Sequence, residues 1–134
     1  MRRLLVSVAV SAALLAPPVA SAAAPVAKLK TRDFGNVLTR HDYQALYFWT
    51  VEKKAGGKVR CTGQCAVLWP PLVVKSAAAV PKRIGGISGT FGVVRRPGGA
   101  LQVTRNGLPV YTYAHEGPRQ VLCDDVDGWF VVRV

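Results

Sequence analysis

The sequence is short of acid. It has 7 Asp and Glu against 18 Lys and Arg, a formal net charge of +11. The acidic group Asp124, Asp125 and Asp127 lacks the spacing of an EF-hand loop, so it reads as turn chemistry rather than a calcium site. Histidine is scarcer still, with His41 and His115 alone and no ligand-type spacing between them. A zinc site needs about four well-placed ligands, and the sequence offers no such set. Three cysteines form neither Cys-x-x-Cys nor Cys-x-x-Cys-His, which argues against a thioredoxin-like motif and a c-type haem attachment. There is no Gly-x-Ser-x-Gly, no Walker-type loop and no zincin motif. The basic residues are scattered and not interleaved with aromatics, so they do not read as a nucleic-acid groove. The readings that remain are non-catalytic ones, or chemistry centred on the cysteines.

No apolar run is long enough to span a bilayer, which takes about 20 residues. The N-terminus reads instead as an export signal over residues 1–22. Arg2 and Arg3 open it, Leu4 to Ala16 is its apolar stretch, and Ala20-Ser21-Ala22 is a small-residue cleavage site. Loss of Arg2 and Arg3 leaves 16 basic residues against 7 acidic ones, a net +9. Residues 23–34 are small, basic and patternless, and are expected to form a mobile arm.

What is present is a pattern stated twice. Tyr47-Phe48-Trp49-Thr50-Val51-Glu52 is echoed by Tyr111-Thr112-Tyr113-Ala114-His115-Glu116: Tyr, any, aromatic, any, any, Glu. The first copy leads into Cys61-Thr62-Gly63-Gln64-Cys65 and Trp69-Pro70-Pro71, and the second leads to Trp129. With these residues the chain resembles the secreted-repeat family, known as predicted lipoproteins with a Yx(F/W/Y)xxD motif. The resemblance covers about residues 35–134. It implies export and a repeat architecture, and no activity, since the family has no established one. Relatives carry Asp at the acidic place, where this chain has Glu twice. Many also carry a lipid-modified Cys directly after the signal, whereas here no Cys precedes Cys61, so a soluble exported form without a lipid anchor is expected.

The two copies extend beyond the motif. Val37-Leu38-Thr39-Arg40 matches Gln102-Val103-Thr104-Arg105. Two copies imply one pseudo-symmetric domain, because stacked arrays need three or more. Unit one is placed at 35–72 and unit two at 99–134. Asn106-Gly107 between β-rich runs is a strong hairpin signal, since type I′ turns need positive φ at both central positions. An equivalent hairpin is expected from Val37–Arg40 and Ala45–Val51. Further strands are expected at 90–95 and 129–133, with 91–95 pairing with 101–105. Helix is confined to short turns at 64–69, stopped by Pro70, and at 76–80, stopped by Pro81. The fold class is mainly β: a small single domain of two pseudo-symmetric hairpin units with short helical turns.

Export favours disulfides, and three cysteines leave one over. Cys61 and Cys65, with Gly63 between them, are the default pair. Cys123 then stays free or bridges two molecules as a dimer, although a bridge from Cys123 to Cys61 or Cys65 also fits the sequence. The paired aromatics Tyr47 with Trp49 and Tyr111 with Tyr113 read as core residues with bonded hydroxyls, or as a platform for a sugar. Glu52 and Glu116 hold repeated positions, which signals repeated structure rather than a glycosidase pair. Trp69, Pro70 and Pro71 read as a packed plug and a fixed bend. The chain is thus expected to be an exported, non-enzymatic, envelope-associated binding or structural module, secreted or periplasmic. It needs no cofactor or metal, and anionic envelope polymers are its expected partners. Two other readings stand beside this one: thiol-disulfide or electron-transfer work at Cys61 and Cys65, and carbohydrate binding by the aromatics.

Overall fold

The computed structural model describes residues 9–16 and 23–134. The charged start of the expected export signal and its cleavage site, in 1–8 and 17–22, lie outside the described residues. Among the described residues no helix is long and apolar enough to cross a membrane.

Short antiparallel strands dominate. In chain order they are β1 (Val26–Lys30), β2 (Asn36–Arg40), β3 (Tyr47–Trp49), β4 (Val73–Val74), β5 (Phe91–Arg95), β6 (Leu101–Arg105), β7 (Leu108–Pro109) and β8 (Trp129–Val131). Two short helices, α1 (Thr50–Lys54) and α2 (Gln64–Leu68), and a 3₁₀ turn at Ala77–Ala79 complete the elements among the described residues. The fold is mainly β, as the hairpin signals imply. The Asn106-Gly107 turn joins β6 to β7 with positive φ at both residues (50° and 77°), and Arg105 pairs with Leu108 across it. β5 pairs with β6 as expected, and the register sets Phe91 opposite Arg105.

Two expectations need correction. Residues 23–34 are not simply a mobile arm, because β1 lies within them and pairs along its whole length with β2, Val26 opposite Arg40 and Lys30 opposite Asn36. Val26-Ala27-Lys28-Leu29-Lys30 carries three apolar residues, but its alternation with lysine covers only the last four positions. Its two lysines occupy the exposed positions, which is how edge strands resist unwanted pairing. The expected strand 45–51 is shorter too, since β3 ends at Trp49 and Thr50 opens α1. As a result both repeats begin earlier than placed: β1–β2 in the first matches β5–β6 in the second.

The repeats are intertwined. The end of repeat two closes repeat one: β8 pairs with β3, the Leu38 N–H donates to Val132 O (2.8 Å), and the Val132 N–H donates to Leu46 O (2.9 Å). The end of repeat one closes repeat two in the same way: β4 pairs with β6, Val103 N–H donates to Leu72 O (2.8 Å), and Leu72 N–H donates to Val110 O (3.1 Å). Leu38, Leu46 and Val132 therefore correspond to Val103, Val110 and Leu72. On the pseudo-two-fold axis Tyr47 and Tyr111 face each other as an isolated antiparallel bridge.

Strand alternation sends neighbouring residues to opposite faces, and here both faces are covered. Leu38, Leu46, Val103, Val110 and Phe91 form one apolar cluster, and Val37, Tyr47, Tyr111, Trp69 and Trp129 form the other. One-residue steps such as Leu46 to Tyr47 thus feed two cores.

Candidate functional site

The repeated motif builds the centre of the second core. Tyr47 and Tyr111 are both 0% exposed. Each hydroxyl donates to the Glu of the other repeat: Tyr47 Oη to Glu116 Oε2 at 2.6 Å, and Tyr111 Oη to Glu52 Oε2 at 2.6 Å. Glu52 reaches inward because α1 begins directly after β3 and turns the chain off the strand direction. Its Oε2 also accepts the N–H groups of Arg60 (2.7 Å) and Cys61 (3.2 Å). Glu116 Oε2 accepts the Leu122 N–H at 2.9 Å. Each carboxylate therefore ties one tyrosine of the opposite repeat to a loop of its own. The Oε1 atoms of both, buried, have no hydrogen-bond partner among the described residues.

Burial is the larger reason that both hydroxyls are pushed above the usual tyrosine range, with the facing carboxylates adding to it. Burial also raises the Glu116 carboxyl, and its hydrogen bonds from Tyr47 and Leu122 offset this only in part.

The other motif aromatics form a column. Trp69 and Trp129 stack at the pseudo-two-fold, with centroids 4.0 Å apart and planes 9° apart. Trp49 stacks on Trp129 (5.2 Å), and Tyr113 lies against Trp69 (4.9 Å). Tyr47 meets Trp69 edge-on, as Tyr111 meets Trp129. Offset and edge-on contacts are the favourable aromatic geometries, and they use up the ring faces of Trp69 and Trp129. Pro70 O receives the Thr112 N–H (2.9 Å), and Pro71 bridges Tyr111, so the Trp69-Pro70-Pro71 bend docks one repeat on the other. The motif is thus a core clamp, and Tyr47 and Tyr111 offer no open platform.

Cys61 and Cys65 form the disulfide, with Cα atoms 5.2 Å apart. Cys61 is fully buried and Cys65 partly so, so a thiolate approaching from solvent has access only through Cys65. Cys123 is free and 8% exposed, and burial raises its thiol. A bridge from it to a second molecule would need its loop to open. Asp125 and Asp127 hold positive φ in a turn, and Asp124 pairs with Arg133 (2.9 Å) and accepts the Val131 N–H (3.0 Å). Among the described residues no group of three or more His, Cys, Asp or Glu could hold a metal ion.

Two features were not read from the sequence. Arg96 is buried, and its guanidinium donates to Gln102 Oε1 (2.7 Å), Cys61 O (2.6 Å) and the Tyr111 hydroxyl (3.3 Å). Its place just past β5 looks like surface in a linear reading, because only the exchange of strands brings Cys61 beside it. The second is a cleft of about 390 Å³ at the β1–β2 turn, lined by Leu29–Phe34, Arg119 and Val121. Arg119 is exposed and leans on Tyr43 there: its backbone N–H donates to Tyr43 O (2.9 Å) and its guanidinium lies 4.4 Å from the Tyr43 ring centroid.

Fold and site together define a two-repeat, mainly β module clamped by exchanged tyrosine–glutamate bonds. Residues 28–73, which span most of the first repeat, match the family model described as a secreted repeat of unknown function. Neither the curated proteins nor the solved structures contain a match to the chain.

Proposed function

We propose that this protein is an exported, non-enzymatic module of the cell envelope that binds anionic polymers through a cationic surface. One observation carries the reading: most of the few carboxylates are engaged within the molecule. Glu52 and Glu116 are buried under tyrosine hydroxyls. Asp42 and Asp124 lie against Arg40 and Arg133. Asp33, Asp125 and Asp127 are left to offset exposed cations such as Lys53, Lys54, Lys58, Arg60, Lys82 and Arg83. The surface field is therefore more positive than a composition spread evenly over it would give, which favours association with polyanions. The use of both repeated glutamates and both tyrosines as structure supports a binding role over a catalytic one at the motif. The secreted description of the matching family agrees with export.

Retention of the purified protein on an immobilised polyanion tests this. Screening shortens from about 8 Å at physiological salt to about 3 Å at 1 M, so retention should fall steeply over that range. Retention that does not change with salt would count against the reading.

A further inference from the structure

We propose that the cleft at the β1–β2 turn binds a single oxyanion, a phosphate or carboxylate, carried on a body of about monosaccharide size. The inference deepens the polyanion reading and takes the ligand's charge class from it. The ligand's source is either one unit of a polymer or a free small molecule.

The pseudo-symmetry relates one wall of the cleft to a buried arginine. Lys30 opposite Asn36 corresponds to Arg95 opposite Leu101, so the next residues, Thr31 and Arg96, hold equivalent positions. Their backbones agree: the Thr31 N–H donates to Gly35 O (2.8 Å), and the Arg96 N–H donates to Ala100 O (2.8 Å). In repeat two the Arg96 side chain runs inward to Cys61 O, on the segment whose N–H groups bind Glu52. The matching segment near Thr31 comes from repeat two and carries Val121 and Leu122; the Leu122 N–H binds Glu116. There the short Thr31 turns its hydroxyl to its own loop, donating to Gly35 O (2.7 Å) and accepting the Phe34 N–H (3.0 Å). The cleft is lined by both Thr31 and Val121. The cleft thus borders the position from which, in the other repeat, Arg96 sends its guanidinium into the core.

The lining sets the ligand class. Leu29, Phe34 and Val121 supply apolar surface, while Lys30, Arg32 and Arg119 supply three cations against one carboxylate, Asp33. Asp33 lies 4.0 Å from Arg32 with both side chains largely in solvent, which makes it a weak competitor. Arg119 leans on the Tyr43 ring and carries no side-chain hydrogen bond among the described residues. An uncommitted guanidinium fork suits a planar or tetrahedral oxyanion. A volume of about 390 Å³ exceeds what a bare anion needs and lies within the range of small-ligand sites.

The test is an NMR titration of the protein with inorganic phosphate, glucose 6-phosphate and neutral glucose, beside retention on immobilised polyphosphate. The two phosphates should shift the Thr31–Gly35 and Arg119 amides saturably, and glucose should not. Thr31→Arg adds a positive charge yet should weaken glucose 6-phosphate binding at least about tenfold by filling the cleft, and Arg119→Gln about tenfold by removing the fork. Lys30→Gln, an exposed change that spares the turn, should also weaken it. Lys82→Gln/Arg83→Gln removes two charges elsewhere and should lower polyphosphate retention while leaving glucose 6-phosphate affinity within about twofold.

Tighter or unchanged binding by a folded Thr31→Arg protein overturns the proposal. So does an equal loss of affinity in Lys82→Gln/Arg83→Gln. Salt-sensitive polyphosphate retention without shifts at Thr31–Gly35 rejects the cleft and leaves the polyanion reading standing. Saturable shifts together with salt-independent retention support the cleft, reject the polymer, and assign the site to a free small anion.

Discussion

Tyr47 and Tyr111 exchange both backbone hydrogen bonds, at 2.8 and 3.0 Å, across the pseudo-two-fold axis, and each sends its hydroxyl to the glutamate that follows the other. The Tyr and Glu of one motif copy, five residues apart in sequence, never bond each other. What looks like a local sequence signature is half of a contact completed only by its second copy. This accounts for a tyrosine and an acid recurring at one spacing: the spacing sets where α1, or the loop after Tyr113, returns a carboxylate to the axis.

The exchange can be measured by double-mutant cycles. Tyr47→Phe removes a donor from a buried carboxylate and should cost about 1–3 kcal/mol. Coupling between Tyr47→Phe and Glu116→Gln should be about 0.5–3 kcal/mol. Coupling between Tyr47→Phe and Glu52→Gln, within one motif copy, should be smaller. Denaturant midpoints give all three values, and a larger same-copy coupling would contradict the geometry.

Stability should depend on pH in a signed way. Burial raises the Glu116 carboxyl above its ordinary 4.5, so the fold favours the protonated form. That contribution is fully present below 4.5 and is lost as pH rises through the raised value. Asp42 and Asp124 act in the opposite sense. Hydrogen bonds from Arg40 and Arg133 hold them below 3.8, and their contribution is lost as pH falls through the depressed values. Both contributions are complete between 3.8 and 4.5. Glu116→Gln should flatten the decline on the alkaline side and leave the acid limb in place. Denaturation at a series of pH values reads this, and an unchanged alkaline limb in the variant would contradict it.

The cysteines should separate cleanly. Native protein should show no reactive thiol on the seconds timescale, because Cys123 is buried and its thiol raised. Unfolding without reductant should release one thiol. Cys61→Ala/Cys65→Ala should cost about 2 kcal/mol, the chain-entropy value for so short a loop. Thiol titration of native and unfolded protein checks the first two, and a denaturant midpoint checks the third.

One repeat should not fold alone. A fragment of residues 23–75 keeps β1–β4 but lacks β8, the partner of β3, and the end of repeat two that closes β2. At low concentration it should lack cooperative unfolding. At high concentration it should pair with a second copy through the same axis, as strand exchange permits. A cooperative monomer detected by sedimentation and thermal melting would refute the intertwined reading.

The sequence by itself determined the features that depend on neighbours along the chain. Asn106-Gly107 demanded a type I′ turn whatever surrounded it, because few residue pairs tolerate two positive φ values. Pro70 ended α2, and Gly63 let Cys61 and Cys65 approach. The doubled Tyr-aromatic-Glu pattern announced two copies, while its aromatic spacing left core and platform both open. The tertiary structure alone decided which copy each contact joins. Hydrogen bonds between β3 and β8, or from Tyr47 to Glu116, link residues about 70 or more positions apart, and local periodicity carries no information about such a choice. The exchange joins local hairpins such as β1–β2, whose lysines read as a solvent arm. It also buried Arg96 against Cys61 O while leaving its counterpart Thr31 beside an open cleft, an asymmetry visible only once the two repeats are superposed in space.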